Sequence, residues 1–254
     1  MDYLVFQLQA PLSSWGEPAV GEFRGTAEHP SQSALVGLLG AALGIWRDDE
    51  AAHAALRDGY GFAVGLQSSG SLLRDFHTAQ VPPHAKLKGL PHATRRDELA
   101  VPKAELSTIL STRDYRQNAA SLVAVQARGS RPPPYDLPAL AQALREPQFT
   151  LFLGRKSCPP AAPLWPQVID AASAKAAFAL YGQLHEAARQ AVADNRGRLP
   201  LETLPQLTRI AFDDHVHAGV PHDLSVRRKD RLIRRKGWQF GDRTEHIALL
   251  TPEA

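Results

Sequence analysis

Hydrophobic and polar residues alternate at the start of the chain. Leu4, Phe6 and Leu8 occupy every second position of Tyr3–Gln9, and Pro11 follows this segment. Because successive side chains of a β-strand point to opposite faces, this alternation predicts a strand with one apolar face that ends before the proline.

The hydrophobic spacing becomes helical after Ser31. Leu35, Leu38, Leu39 and Leu43 recur every three or four residues, and serine is a preferred N-cap residue. Glycine and alanine fill much of the remaining circumference, and each interior glycine costs a helix about 1 kcal/mol relative to alanine. We therefore predict a helix that begins after Ser31 and packs closely against a sheet or another backbone.

The rest of the chain predicts further strands and helices and one long insertion. The predicted strands are Gly61–Gln67, Leu72–Thr78, Ser107–Tyr115, Ser121–Gln126 and Phe149–Leu153, and the predicted helices are Leu137–Arg145 and Ala172–Ala193. Residues 81–102 are rich in proline and basic residues and lack apolar periodicity, and so long a loop in a compact domain is usually functional or disordered. The order β-α-β-β-insertion-β-α-β predicts an α+β fold with an RRM-like or ferredoxin-like core.

We expect this core to occupy residues 1–165 and to carry the insertion at about residues 79–108. Prolines between positions 159 and 166 mark the junction with a C-terminal extension, residues 166–254. The extension contains the alanine-rich helix and a basic segment, but few bulky apolar residues. We therefore expect it to pack on the core rather than to fold alone.

Composition limits the class of protein. With 44% hydrophobic and 22% charged residues, the 254-residue chain has the balance of a globular protein and not that of a disordered one. The longest apolar run, Ala34–Trp46, is shorter than the ~18–20 residues that cross a bilayer, and the N-terminus has no recognisable signal peptide. Cys158 is the only cysteine, which excludes a disulfide framework and a thiolate zinc cluster. We expect a soluble, cytoplasmic protein without a metal or cofactor.

The positive charge is concentrated in one segment. The net charge is +3, yet Leu224–Lys236 holds seven basic residues and one acid, so this segment carries +6 and the rest of the chain −3. A basic stripe on a mildly acidic body is typical of a surface that binds a polyanion, and a solvated flexible tail is the alternative. Trp238 and Phe240 would either fix the segment to the body or stack on a base, and we expect the first because isolated aromatic residues usually pack.

A histidine cluster is a candidate metal site. His215 and His217 would share one face of a strand, and His222 follows closely. No third ligand has a recognisable spacing, and the surrounding glycine and proline indicate a loop. We therefore predict a solvated loop here and no metal site.

Two further groups of residues could act on nucleic acid. Gly154–Ser157 resembles part of a phosphate-binding loop but lacks its upstream glycine, so an ATP site is not predicted, whereas two cations and a serine after a predicted strand suit an RNA phosphate. His77 with Lys86, Lys88 and Tyr115 could cleave RNA through its own 2′-hydroxyl by acid–base catalysis. We interpret each of these four as a contact or structural residue.

Five motifs resemble, in order, those of the CasD family, a subunit family of type I-E CRISPR Cascade complexes, and they cover about the first 165 residues. The motifs are PLSSWG (Pro11–Gly16), PSQSALVGLLGAALGI with a following RDD (Pro30–Asp49), LRDFHT (Leu73–Thr78), STRDY (Ser111–Tyr115) and FLGRKSCP (Phe152–Pro159).

The resemblance implies an RRM-like core with a protruding β-hairpin thumb at the insertion, and a helical and basic C-terminal extension. It implies a non-catalytic subunit that binds the 5′ handle of the crRNA and caps the backbone filament in antiviral defence, because a separate subunit, CasE, cuts the precursor in these systems. The implied partners are the crRNA, the backbone subunit CasC and the large subunit CasA, with target DNA nearby and no membrane. The alternative is a metal-independent endonuclease that processes precursor crRNA, as in type I-C relatives.

The motifs, the resemblance and the basic segment together give the expected site residues. The predicted RNA contacts are Trp15, Arg24, Ser31, Gln32, Ser33, Arg47, His77, Arg113, Arg155, Lys156 and Ser157. The predicted basic nucleic-acid patch comprises Arg227, Arg228, Arg231, Arg234, Arg235 and Lys236. Helix N-terminal amides, hydroxyls and cations all donate to phosphate, so we expect a handle-binding groove where the first helix begins and the last core strand ends.

Overall fold

The computed structural model describes residues 1–16, 19, 21–89, 93–129, 132–196 and 203–251. The strands are β1 Asp2–Gln9, β2 Leu12–Ser13, β3 Phe23–Arg24, β4 Tyr60–Ser68, β5 Ser71–Val81, β6 Ser107–Gln117, β7 Ala120–Ala127, β8 Gln167–Asp170, β9 Arg209–Asp213, β10 Leu224–Arg234 and β11 Gln239–Leu249. The α-helices are α1 Gln32–Leu43, α2 Glu50–Gly59, α3 Arg95–Glu98, α4 Leu137–Arg145 and α5 Ala174–Arg196, with 3₁₀ turns at His84–Leu87 and Lys103–Glu105.

One large sheet organises the molecule. Seven strands lie in the order β10-β11-β9-β4-β7-β1-β8, and every neighbouring pair is antiparallel. The predicted α+β class is confirmed. Strands from both sides of residue 165 join this sheet, so the extension shares its backbone hydrogen bonds with the core, while the boundary at residue 165 stays a prediction.

The sheet is the middle layer between two hydrophobic clusters. Leu4, Phe6 and Leu8 of β1 pack with residues of α1, α2 and α4, as the alternation predicted. Tyr3 and Val5 are also buried, because their face of the sheet packs with residues of α5. With 23 residues, α5 is the longest helix described, and none of the described helices is long and apolar enough to cross a membrane.

A smaller sheet contains the long hairpin. Strands β5 and β6 pair without interruption from Ser71 with Gln117 to Val81 with Ser107, and β2 and β3 pair with the other edge of β6. The hairpin therefore begins earlier than the insertion predicted at residues 79–108. Helix α3 and the two 3₁₀ turns lie in the connection between its strands, and Phe76 of β5 is exposed.

Helix α1 begins at the predicted position, and its glycines allow the close packing that was predicted, although against different groups. The Ser31 hydroxyl accepts a hydrogen bond from the Ala34 amide and caps the helix. A Cβ added at Gly40 would lie 2.8 Å from Cε1 of His53 in α2, and one at Gly37 would lie 3.3 Å from Nη2 of Arg235. The close packing is therefore against side chains of α2 and of the β10–β11 turn rather than against a backbone.

Some segments differ from the predictions, and the alternative of a flexible tail for the basic segment is excluded. Phe149–Leu153 is not a strand, because its backbone is held elsewhere: the Phe149 amide donates to the α1 carbonyl of Ala41, and the Leu153 carbonyl accepts from Ser14. Strand β8 pairs with β1 instead. Helix α2, capped by Asp49, had not been predicted, and the basic segment is an edge strand rather than a flexible tail.

Candidate nucleic-acid interface

A groove of about 540 Å³ lies beside the start of α1. Residues from three separated motifs line it together with the β10–β11 turn. Six of the predicted RNA contacts and one residue of the predicted basic patch belong to this lining: Trp15, Ser31, Ser33, Arg47, Arg155, Lys156 and Arg235. We call this cavity the α1 groove.

Gly154 holds the loop that follows Leu153 in the wall of the groove. Its φ is +88°, and a Cβ at this position would lie 1.8 Å from the carbonyl oxygen of Ser14. The Ser14 amide donates to the Leu153 carbonyl at 3.1 Å, so the two segments are in backbone contact. Glycine is required on both counts, because other residues avoid positive φ and would clash with the carbonyl. The contact places Lys156 and Trp15 on the same groove.

Arg155 and Lys156 have different environments. Arg155 is half-buried: its guanidinium donates to the carbonyls of Asp114 at 3.2 Å and Arg24 at 3.0 Å and lies 4.7 Å from the ring centroid of Tyr115. It therefore ties β6 and β3 to the loop. Lys156 is exposed and is the cation of this pair that is more accessible to a phosphate.

The start of α1 is less open than its sequence suggests. Ser31 is buried and its hydroxyl serves as the cap, while its oxygen lies 3.1 Å from the half-buried hydroxyl of Ser33. The Gln32 amide donates to Oδ2 of Asp230 at 3.0 Å. A carboxylate of the protein therefore occupies part of the helix N-terminus, and Ser33 is the more accessible of the two hydroxyls.

Gln32 and Arg228 belong to a buried ion cluster and not to the groove. The Gln32 side chain points to Asp213, with Nε2 3.4 Å from its carboxylate. Arg228 donates to Glu245 at 3.0 Å, and its side chain is about 10% exposed. The structure thus places two predicted contact residues inside the molecule, where they bind other side chains.

Arg243 is the centre of this ion cluster. Its guanidinium donates to Asp230 at 2.7 Å, to Asp213 at 2.6 Å and to Glu245 at 2.7 Å. Burial would raise the pKa of Glu245, but the hydrogen bond to His29 and the nearby positive charges outweigh it and hold that pKa below its usual range. For Asp213, burial dominates and raises the pKa despite Arg243. The cluster joins β9, β10 and β11 to the start of α1.

Part of the remaining basic segment is also paired. Arg231 lies 3.2 Å from Asp58, and Arg227 lies 3.8 Å from Asp242. Glu50 holds the turn after β10, because its carboxylate accepts hydrogen bonds from the backbone amides of Arg235 and Lys236 at 2.9 and 2.8 Å. These hydrogen bonds lower the pKa of Glu50. Arg234 and Lys236 at this turn are exposed, as are Arg227 and Lys229 on β10.

The other predicted contacts lie outside the groove lining. The Arg24 guanidinium donates to the Gly21 carbonyl at 2.6 Å, and Ser157 is exposed on the loop after Lys156. On the hairpin, Arg113 is exposed opposite Asp75, which also forms an ion pair with His77 at 2.6 Å.

The residues considered for RNA cleavage are not brought together. His77 pairs with Ser111 across the hairpin, whereas Tyr115 pairs with Leu73, which places them about 13 Å apart along the strands. Tyr115 is buried, and Lys86 forms an ion pair with Glu105. The arrangement does not form an acid–base pair around one scissile bond.

The histidines near β9 make separate contacts. His217 Nδ1 lies 2.8 Å from the Ala172 carbonyl, and the His222 ring lies against the His246 ring, tilted by 36° with centroids 4.3 Å apart. His215 is exposed in the turn after β9. Across the part of the chain that the structure describes, no three histidine, cysteine or acidic side chains are grouped as metal ligands would be.

Two exposed tryptophans were not predicted as site residues. Trp46 is 71% exposed and Trp238 is 53% exposed, and the Arg47 guanidinium lies 4.3 Å from the Trp238 ring centroid. Trp238 therefore contacts the body at Arg47 but is more exposed than expected for a packed aromatic residue. The sequence signal available for Trp46 was its position directly before Arg47 in the second motif.

Comparison with known proteins identifies the class of protein to which this fold and groove belong. A protein-family model described as CRISPR-associated protein (Cas_Cas5) matches residues 3–243, and the chain belongs to this family of CRISPR-associated proteins. Among curated proteins, the CRISPR system Cascade subunit CasD of Escherichia coli (strain K12) is 33% identical over 171 residues, which cover 64% of this chain and 69% of that protein. The resemblance carried by the five motifs is confirmed.

Two solved structures share the fold. A chain described as "CRISPR RNA-guided surveillance complex" is 21% identical with a TM-score of 0.59, and the match covers 97% of this chain and 89% of that one. A second, described as "Crystal structure of Cas protein", is 22% identical with a TM-score of 0.58 and covers 98% and 94%. Both matches include the region beyond residue 170, where no motif was recognised.

Proposed function

We propose that this chain is a non-catalytic subunit of an RNA-guided CRISPR complex and that it binds the 5′ handle of the crRNA in the α1 groove. The observation that carries the proposal is that Ser33 and Arg47 of the second motif and Lys156 of the fifth line one cavity together with Arg235. The 33% identity to a Cascade subunit supports the class of complex. Capping of the backbone filament, contacts with a CasC-like and a CasA-like subunit, proximity to target DNA and a cytoplasmic location are parts of the same proposal.

In this proposal the groove binds the RNA backbone. Lys156, Arg47 and Arg235 supply positive charge to phosphates, and the Ser33 hydroxyl donates to a phosphate oxygen. Such contacts fix the position of the strand without reading its sequence. The buried Trp15 and the Arg155 guanidinium, with its hydrogen bonds to the carbonyls of Asp114 and Arg24, form the wall of the groove and hold these donors in place.

The proposal includes a thumb and an RRM-like core. The partial strand order β4-β7-β1-β8, with α1 and α2 before β4 and α4 before β8, matches the βαββαβ order of that core. Hairpin β5–β6 lies in a separate sheet, and Phe76 and Ile109 expose large apolar surfaces. We assign the thumb to this hairpin and its connection, which would wedge beside the guide strand.

The salt dependence of binding tests the groove. We expect Lys156→Ala to weaken binding of a handle RNA oligonucleotide and to reduce the slope of log K against log salt by about 0.7, the value for one phosphate contact to a single strand. Lys175→Ala is the matched control, because Lys175 is also exposed but lies on α5, across the sheet from the groove.

An unchanged slope in Lys156→Ala, or an equal loss in Lys175→Ala, would contradict the groove assignment. The same assay mixtures, incubated with full-length repeat RNA and a chelator, test the non-catalytic role. We expect intact RNA after incubation, whereas specific cleavage would support the endonuclease.

A further inference from the structure

A second cavity of about 550 Å³ adjoins the α1 groove. The two cavities share the lining residues Arg47, Arg235 and Trp238. The second is lined in addition by Trp46 and by the cations Arg234 and Lys236. We call it the tryptophan pocket. Because of the shared residues, a strand that lies in the groove can continue into the pocket.

The indoles of the pocket are exposed but held in place. Trp46 meets Phe149 edge to face, with ring centroids 5.2 Å apart. Trp238 has a left-handed backbone with φ +50°, its amide donates to the Arg235 carbonyl at 3.0 Å, and Arg47 lies 4.3 Å from its ring centroid. Large aromatic side chains normally bury most of their surface, so two fixed and largely exposed indoles at one cavity indicate a ligand.

The charges around the pocket indicate the kind of ligand. Four cations and two acids line it, and one acid, Glu50, is already bound to the backbone of the turn. The Nε of Arg235 is buried and has no hydrogen-bond partner within the described part of the chain. Exposed aromatic rings combined with cations are the features with which proteins bind unpaired nucleotides, since every base has a face that stacks and every linkage carries a phosphate.

We propose that the tryptophan pocket binds one unpaired nucleotide of the guide RNA. The base stacks on the indoles of Trp238 and Trp46, and the adjacent phosphate lies against Arg234 and Lys236. This proposal rests on the proposed function, because the shared residues make the pocket a continuation of the α1 groove. Since stacking accepts any base, the pocket would add affinity with little sequence preference.

The test measures binding of the handle RNA by the full chain and by variants of the pocket. We expect Trp238→Ala and Trp46→Ala each to weaken binding by about five- to 150-fold, the range for loss of one base–aromatic stack, without changing the salt slope. Trp238→Phe should restore most of the affinity. Tyr135→Ala is the control, because Tyr135 is a partly exposed aromatic residue just before α4.

Tryptophan fluorescence supplies a second readout. RNA binding should quench the emission of the wild-type chain, and most of this quenching should be lost when Trp46 and Trp238 are both replaced by Phe, since Trp15 is buried and Trp165 packs on Tyr181. One outcome would overturn the pocket and leave the proposed function intact. In that outcome Lys156→Ala weakens RNA binding as expected, but RNA does not quench the fluorescence and the alanine variants of the pocket bind RNA as tightly as the wild type. Loss of subunit assembly with unchanged RNA binding would also overturn the pocket. Failure of the wild-type chain to bind handle RNA would instead refute the proposed function.

Discussion

Replacement of Gly154 by alanine tests how the wall of the α1 groove is built. The added methyl group would lie 1.8 Å from the Ser14 carbonyl oxygen and 2.7 Å from its carbon, so one of the two backbones must move. A positive φ in a residue other than glycine costs about 1–3 kcal/mol, and forced overpacking adds about 1–3 kcal/mol. Lower chain entropy in the unfolded alanine variant offsets about 0.4–1 kcal/mol. We expect a net destabilisation of about 1–5 kcal/mol.

Urea unfolding measures this loss, and Gly182→Ala is its control. Gly182 lies inside α5, and a Cβ there would meet no atom within 4 Å. Alanine should therefore stabilise the helix by about 0.5–1 kcal/mol. Handle RNA affinity should fall in Gly154→Ala, because the displaced loop carries Lys156. Equal stability of Gly154→Ala and the wild type would show that the contact with Ser14 does not hold the wall of the groove.

Three further outcomes are expected. Arg243→Ala should lower the free energy of unfolding by about 3–5 kcal/mol in urea titrations, because three buried carboxylates lose their central partner. Glu245 has a lowered pKa in the folded state, so its stabilisation is present above the unfolded pKa of about 4.3 and is lost as the pH falls below it. The melting-temperature difference between wild type and Glu245→Gln should shrink on acidification, and a constant difference would contradict this. Replacing residues 82–106 with a short turn should leave the melting temperature within a few degrees but impair assembly of the complex in co-purification; normal assembly would refute the thumb.

The elements that were predicted best are those that the local spacing of hydrophobic residues determines. The alternation in β1 and the helical period and cap of α1 are properties of neighbouring residues, and both elements lie within a few residues of their predicted bounds. Ser33, Arg47 and Lys156 of the α1 groove were predicted from the motifs of a known family. Hydrophobic periodicity alone does not show which distant segments of a chain lie together.

Long-range contacts explain what the sequence did not predict. Phe149–Leu153 has the composition of a strand, yet α1 and Ser14 hold its backbone, and β8 takes the place beside β1. Arg228 has the sequence pattern of a surface cation, because nothing in the local sequence shows that Glu245, 17 residues away, and His29, 199 residues away, lie beside it. The buried ion cluster also explains why β10 lacks the alternation of hydrophobic and polar residues that predicts a strand, since charged residues occupy inward positions of β10.

Photocrosslinking locates the RNA most directly. The full chain would be bound to a handle RNA with 4-thiouridine at successive positions, irradiated and mapped by mass spectrometry. We expect crosslinks in residues 31–47, 150–156 and 232–240, segments that contribute the lining of the α1 groove and the tryptophan pocket. Crosslinks confined to α5, on the opposite face of the sheet, would contradict this expectation.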